Sequence, residues 1–393
     1  MTGETQKTRT PWTAPPSLQE CVRAFEASLV TGPQVERVFV LGAGFSGHFQ
    51  FSTSKGVVPG IVEFFQSNPL SSWYSDHYQR MIRWLERHHR GWRQEHPSLT
   101  KFVTTFFESQ TVRRDSIAID PIELGRYGVS WEQDNFEPLE IAAYLPTSPI
   151  YEDYLIPFEV LLATYLWAGR TSNEVETPDA KHFFESLRPT DVIVTLNWDV
   201  IPEVLLTETG QAFSRYEWTP ELLPVIKLHG SVDLFGLPNG AMQRDADENP
   251  HVLEKITTHT WRCVTSSESI YRAPPFRALF PWERYRKSPI LIMPPFYTFG
   301  YGYELIQFNW RRAEVALERA KEVHFVGYSI PEADLAFRRM LSRASRRWSP
   351  NVGLHVWDPA LEVGDRAEFL CRRPFRRHVG GTGELFTTMA HAA

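Results

Sequence analysis

Val38-Phe39-Val40-Leu41-Gly42-Ala43-Gly44-Phe45-Ser46 is the stretch on which the fold turns. Its first four residues are apolar without a break, and three of them are β-branched or aromatic, as in a strand buried on both faces. The run stops at Gly-x-Gly, the mark of a tight turn into a helix. In such a turn Gly42 allows a φ that Cβ-bearing residues avoid, and Gly44 lets backbone N–H groups approach a pyrophosphate. Ser46 either caps the following helix or binds phosphate. Gly47 stands where the third glycine of G-x-G-x-x-G falls, but Ser67-Asn-Pro-Leu-Ser-Ser72 supplies no ribose-binding acid about 20 residues on. Taken alone, the pattern favours a strand-to-helix turn that holds no ligand.

The same step recurs along the chain. Asp191-Val-Ile-Val-Thr-Leu-Asn-Trp-Asp199 is a second buried strand that ends in polar positions spaced by two, Thr195, Asn197 and Asp199, and Pro202 opens a helix through Leu206. Pro224 to Ser231 is a third strand, with His229 at its end before a glycine turn; histidine there serves either chemistry or core packing. Ser288 to Pro295, Val323 to Ser329 and Gly353 to Asp358 read as further strands, and Tyr303 to Ala320 as a helix. Another helix begins at Ser329, its N-terminus open to a phosphate. Strand and helix alternate often enough to place the chain in the α/β class, with a Rossmann-like parallel sheet.

Composition bounds what this sheet serves. With 393 residues, 42% hydrophobic and 13% aromatic, the chain buries one large core or two ordinary ones. A net charge of −6 gives no electrostatic footprint for nucleic acid or an anionic membrane. Cys21, Cys263 and Cys371 are far apart, so neither a disulfide framework nor a cysteine zinc knuckle is expected, and a reducing cytoplasm fits. His251, His259 and Cys263 match no zinc spacing, and no metal is expected. Met1 to Pro16 is a polar leader without a signal-peptide core, and Ser17 to Val30 an amphipathic helix. Tyr154 to Gly169 carries Glu159, is too short to cross a membrane and reads as a buried helix. Residues 1–35 are therefore taken as leader and helix, 36–60 and 188–370 as the α/β domain, 61–187 as a large helical insertion and 371–393 as a C-terminal tail. His88-His89-Arg90 is read as a solvated helix face. Large aromatics in the insertion, among them Trp73, Trp84, Trp92, Phe106 and Phe107, suggest a surface for self-association or for a partner.

Gly42-Ala-Gly-Phe-Ser46, Thr195-Leu-Asn-Trp-Asp199, Leu228-His-Gly-Ser231 and Phe325-Val-Gly-Tyr-Ser-Ile-Pro-Glu-Ala-Asp334 occur in the order found in sirtuins and bacterial sirtuin-like proteins, and Pro289-Ile-Leu-Ile-Met-Pro-Pro295, followed by a Trp-containing helix and Gly-Tyr-Ser-Ile-Pro, resembles the bacterial branch. The resemblance spans roughly residues 36–60 and 188–360. It implies a sirtuin-type sheet with an NAD site across the carboxyl ends of its strands. The loop Gly42, Ala43, Gly44, Phe45, Ser46 would lie at the pyrophosphate, and Gly327, Tyr328 and Ser329 on the adenosine side. Asn197 would stand beside the nicotinamide ribose, Thr195 would be among the NAD-binding residues, Asp199 would hold the carboxamide, His229 would act on the ribose hydroxyls, and Asp358 would lie near the adenine ribose. The four-cysteine zinc module of deacylating sirtuins is absent.

What the resemblance implies, then, is an NAD hydrolase: NAD as substrate, no zinc, and a role as effector of a bacterial anti-phage system. The effector would be a homo-oligomer or work with an ATPase, helicase, Argonaute-type or other sensor protein. A deacylase or ADP-ribosyltransferase using the same site, and a non-catalytic NAD or ADP-ribose-binding module, are the alternatives.

Overall fold

The computed structural model describes residues 23, 25, 35–50, 56–67, 72–98, 101–102, 156–172, 177–215, 221–236, 261–263, 289–291, 304–332 and 334–392. In chain order, β1 (Val35–Leu41) passes through Gly42 into α1 (Ala43–His48). Helices α2 (Val57–Ser67), α3 (Ser72–His88), α4 (Ile156–Ser172) and α5 (Pro178–Glu185) lead to β2 (Val192–Thr195). There follow α6 (Ile201–Glu208), β3 (Phe213–Ser214), β4 (Leu223–Lys227), β5 (Gly230–Gly236), β6 (Trp261–Cys263) and β7 (Pro289–Leu291). The last part alternates: α7 (Glu304–Arg319), β8 (Ala320–Val326), α8 (Leu335–Ser345), β9 (Gly353–Trp357), α9 (Leu361–Cys371), β10 (Arg376–His378) and α10 (Gly381–Ala392).

Seven strands form one sheet in the order β10-β9-β8-β1-β2-β4-β3, every neighbouring pair parallel. Apart from the short β3, this is the strand order of doubly wound dinucleotide-binding sheets. The chain grows from β1 outward through β2 and β4, then returns to β8 and grows the other way. The α/β, Rossmann-like reading therefore stands. The strand expected at 288–295 is β7, which joins not this sheet but a separate antiparallel one, β6-β5-β7. Pro289 lacks an N–H to give to a ladder, which suits it to an edge position.

The unbroken apolar runs follow from burial on both faces. Along β1, Phe39 and Leu41 point into a core shared with helices α1 to α6 and α10, whereas Val38 and Val40 point into a second core built with α7, α8 and α9. Residues α2 to α4 of the helical insertion thus cover one face of the sheet. Trp84 and Trp92 are core residues, 2% and 4% exposed, so they lend nothing to the expectation of an aromatic docking surface; Phe106 and Phe107 lie outside the described residues. α5 starts from Thr177, whose hydroxyl accepts from Ala180 N (3.2 Å), with Pro178 in the first turn.

Three further sequence expectations need correction: His89, read with His88 and Arg90 as a solvated face, is buried against Trp84 and Phe102, and the other two lie in the C-terminal part. Residues 371–393 are not a tail: β10 pairs with β9, and α10 places Phe386 against Phe45, Phe49 and Phe183. Apolar positions Leu385, Phe386 and Met389 in that segment bury with the core, which a tail could not do. The helix expected from Ser329 begins at Leu335, because Pro331 and the left-handed Ile330 (φ 48°) hold the preceding turn out of helical geometry.

Candidate active site

The carboxyl ends of β1, β2, β4 and β8 lie side by side, and the residues singled out in the sequence follow each of them. Asn197 is two residues past β2 and half-buried. Its main-chain N–H donates to the hydroxyl of the buried Thr195 (3.1 Å). Its Nδ2 donates both to the carbonyl of Gly42 (2.8 Å) and to Ser46 Oγ (2.7 Å). A main-chain carbonyl can only accept, so the amide nitrogen must face the glycine loop and both its hydrogens are committed there. Oδ1, an acceptor, is the part of the amide left for another molecule.

Ser46 passes its own hydrogen on to Asp199 Oδ2 (2.6 Å), and Asp199 Oδ1 accepts from Ile201 N (3.1 Å) at the start of α6. Asp199 is buried, and burial holds its carboxyl above the usual carboxylate range, against the pull of the Lys227 ammonium and then of the Ser46 hydrogen bond. Lys227, the last residue of β4, donates to the main-chain carbonyl of Asp199 and stands 3.5 Å from Glu203 Oε1. Arg215 holds that same oxygen at 2.6 Å.

His229 follows β4 and is 2% exposed. Its Nε2 is 3.6 Å from Asp334 Oδ2, which also accepts from the Tyr328 hydroxyl (2.7 Å), while Asp334 Oδ1 accepts from Phe337 N (3.2 Å) and caps α8. Burial pulls the His229 pKa down, and the Asp334 carboxylate works against this. The His229 carbonyl accepts from Trp198 Nε1 (3.0 Å), which makes Trp198 a tie between the ends of β2 and β4. The N-terminus of α8, expected to stand open to a phosphate, already holds the Asp334 carboxylate.

The glycines meet protein. Gly44 N donates to the Gly327 carbonyl at 2.7 Å. A Cβ on Gly327 (φ +56°) would lie 2.2 Å from Phe45 N, and one on Gly42 would lie 2.5 Å from the Tyr328 Cα. Close approach of the β1 and β8 loops thus accounts for Gly42, Gly44 and Gly327 before any ligand is considered, and the Gly44 N–H meets a carbonyl where a pyrophosphate was expected. Ser46 lies inside α1 and does not cap it; its hydroxyl serves Asn197 and Asp199. Phe45 is core, packed on Phe49 and Phe386, whereas Ala43 is exposed beside it.

Ser329 is exposed, and its carbonyl accepts from Arg366 (2.6 Å). Asp358 follows β9, one strand beyond β8. Its Oδ1 accepts from Ala360 N (2.9 Å) ahead of α9, burial raises its carboxyl pKa, and no hydrogen bond among the described residues joins it to the Asn197 cluster. The structure therefore brings together Gly42, Ser46, Thr195, Asn197 and Asp199, sets His229 and Tyr328 on a second network through Asp334, and leaves Asp358 apart. Lys227, Glu203, Arg215 and Asp334 escaped the sequence reading. A lysine inside Pro224-Val-Ile-Lys-Leu228, where every neighbour is apolar, was the available signal for the first of them.

Among the described residues one group has donors close enough for a metal, Glu322, His324 and His355, within 4.8 Å of one another. Trp357 Nε1 donates to His324 Nδ1 (3.1 Å), so neutral His324 carries its hydrogen on Nε2, facing Glu322 Oε2 at 3.1 Å. That arrangement is a hydrogen bond and presents no His324 lone pair to an ion. His251 and His259 lie outside the described residues. Among the described residues no helix is long and apolar enough to cross a membrane. No protein-family model matches the chain, and no curated protein matches it.

Proposed function

We propose that the chain hydrolyses NAD to nicotinamide and ADP-ribose, with the reaction centred on Asn197 at the carboxyl ends of β1 and β2. The observation that carries this reading is the orientation of the Asn197 amide. With both N–H groups held by Gly42 and Ser46, Oδ1 is pre-set as an acceptor for a ribose hydroxyl or for the attacking water. Cleavage breaks the bond between the ribose C1′ and the nicotinamide nitrogen; nicotinamide leaves as a neutral base, and water adds to the developing oxocarbenium ion and loses a proton. Such a reaction asks mainly for positioning, and a fixed acceptor in a strand-end crevice supplies it. The sirtuin-like motif set supports NAD as the substrate, and the effector role with a partner protein follows from the same resemblance.

One observation favours the non-catalytic alternative: His229 is enclosed between strand ends and Asp334, which suits a structural role as well as a proton acceptor. Purified protein incubated with NAD and analysed by chromatography separates the two. Release of nicotinamide and ADP-ribose, lost in Asn197→Ala with the fold intact by circular dichroism, is expected. NAD or ADP-ribose bound without nicotinamide release supports the binding module, and neither binding nor release defeats both readings.

A further inference from the structure

Four charged side chains are enclosed beneath Asn197: Asp199, Glu203, Arg215 and Lys227, from 0% to 6% exposed. Their pairing is unequal. Arg215 takes Glu203 Oε1 at 2.6 Å, whereas Lys227 stands 3.5 Å from that oxygen and donates instead to the Asp199 main chain. Arg312, also fully buried, donates to the Arg215 carbonyl and brings a further cation to the cluster, so protonating Asp199 would remove a negative charge from a buried group rich in cations, a costly change away from water. Lys227 is itself fixed from behind, because Asn309 Nδ2 donates to its carbonyl at 3.0 Å and Thr195 of β2 is its register partner.

We infer that Lys227 is a positioning residue for the reaction proposed above. It keeps Asp199 a carboxylate, the acceptor that orients the Ser46 hydroxyl and, through it, the Asn197 amide. The inference rests on that reading of the site for its catalytic part only. The direction of the hydrogen bonds supplies the link. An ionised Asp199 accepts from Ser46, and Ser46 accepts from Asn197 Nδ2, so each donor faces an acceptor. A protonated Asp199 offers its own hydrogen to Ser46 and turns the Ser46 hydrogen toward the Asn197 N–H, so the amide is left with the Gly42 carbonyl as its one anchor and Oδ1 is held less firmly. The Lys227 ammonium is also the largest influence opposing the upward push of burial on this carboxyl.

The test is Lys227→Met, which keeps the stem and removes the charge, compared with the parent across pH 5 to 9. Because a raised carboxyl pKa keeps the acid form to higher pH, kcat/KM for NAD cleavage should fall at least tenfold at neutral pH. Its acid limb should move up by a unit or more, with recovery toward the parent value near pH 9. A loss equal at every pH overturns the inference. A second measurement works without catalysis: a double-mutant cycle of Lys227→Met and Asp199→Asn on urea unfolding. Coupling is expected, with Lys227→Met changing the unfolding constant at least fivefold less when Asp199→Asn is present; additivity places Lys227 in packing and overturns the inference. Should Lys227→Met fail to fold, a folded double variant supports the inference and an unfolded one overturns it. A parent that cleaves no NAD removes the proposed function, and the cycle still decides what Lys227 does to Asp199.

Discussion

Gly327→Ala probes the contact that joins the loops after β1 and β8. The new Cβ would lie 2.2 Å from Phe45 N and 2.4 Å from the Gly44 carbonyl carbon, on a residue whose φ is +56°. Restoring an ordinary contact of about 3.4 Å requires the loops to part by roughly 1 Å, which stretches the 2.7 Å Gly44–Gly327 hydrogen bond out of range. The left-handed backbone costs about 1–2 kcal/mol, overpacking about 1–3 and the lost hydrogen bond about 1, or roughly 3–6 kcal/mol together. That is a large part of the roughly 5–15 kcal/mol a protein has. Gly210 is the control: its φ is +70° but nothing lies within 4 Å of a Cβ there, so Gly210→Ala should cost only about 1 kcal/mol. Urea unfolding of both variants without ligand measures the difference, expected to be about 2 kcal/mol or more. Equal losses, within about 0.5 kcal/mol, would refute the claim that loop-on-loop packing demands glycine at 327 and would favour a purely ligand-directed role.

Asn197→Asp puts a carboxylate against the Gly42 carbonyl and removes two donated hydrogen bonds; activity should fall by at least 10²-fold, with about 2 kcal/mol of stability lost at neutral pH, and parental cleavage would remove Asn197 from the mechanism. His355 is held down to about 4 by burial and then by His324, against 6.5 in the unfolded chain. The unfolded state therefore binds the extra proton first, so stability should decline as pH falls from 6.5 toward 4, and His355→Gln should make that slope shallower in pH-dependent urea melts. Burial pushes the Cys371 thiol up to about 12, so mass spectrometry of native protein treated with iodoacetamide at pH 8 should find it unmodified, with full labelling only after unfolding.

Much of the fold could be read because burial on both faces leaves a plain record. Val38 to Leu41 and Val192 to Val194 are apolar without alternation, Val323 to Val326 is apolar but for His324, and each run feeds a glycine, asparagine or tyrosine turn at the end where parallel sheets carry their sites. That Gly42, Ser46, Asn197 and Asp199 share one site is what the resemblance to sirtuin-like proteins implies, and hydrogen bonds join Asn197 to Gly42 and Ser46, and Ser46 to Asp199. β7 was misplaced because a short run such as Pro289-Ile-Leu291 has no feature that chooses its partner; pairing is settled by contacts made far away in sequence. α10 is hard to read because Gly381 to Ala392 mixes two glycines and three threonines with its apolar residues, yet Phe386 finds a ready-made apolar surface on α1 and α5.

By itself, then, the order of residues determined that strands alternate with helices, where those strands end and which polar side chains stand at the ends. Hydrophobic period and glycine geometry are local properties, and they act before any distant contact forms. Only the tertiary structure decided what those side chains face. Gly44 and Gly327 meet each other across 283 positions of chain (327 − 44), Asn197 turns its nitrogen to Gly42, and Lys227 reaches across from β4 to the carbonyl of Asp199. Hydrogen-bond direction and the balance of buried charge depend on partners that the chain brings together only when the sheet closes.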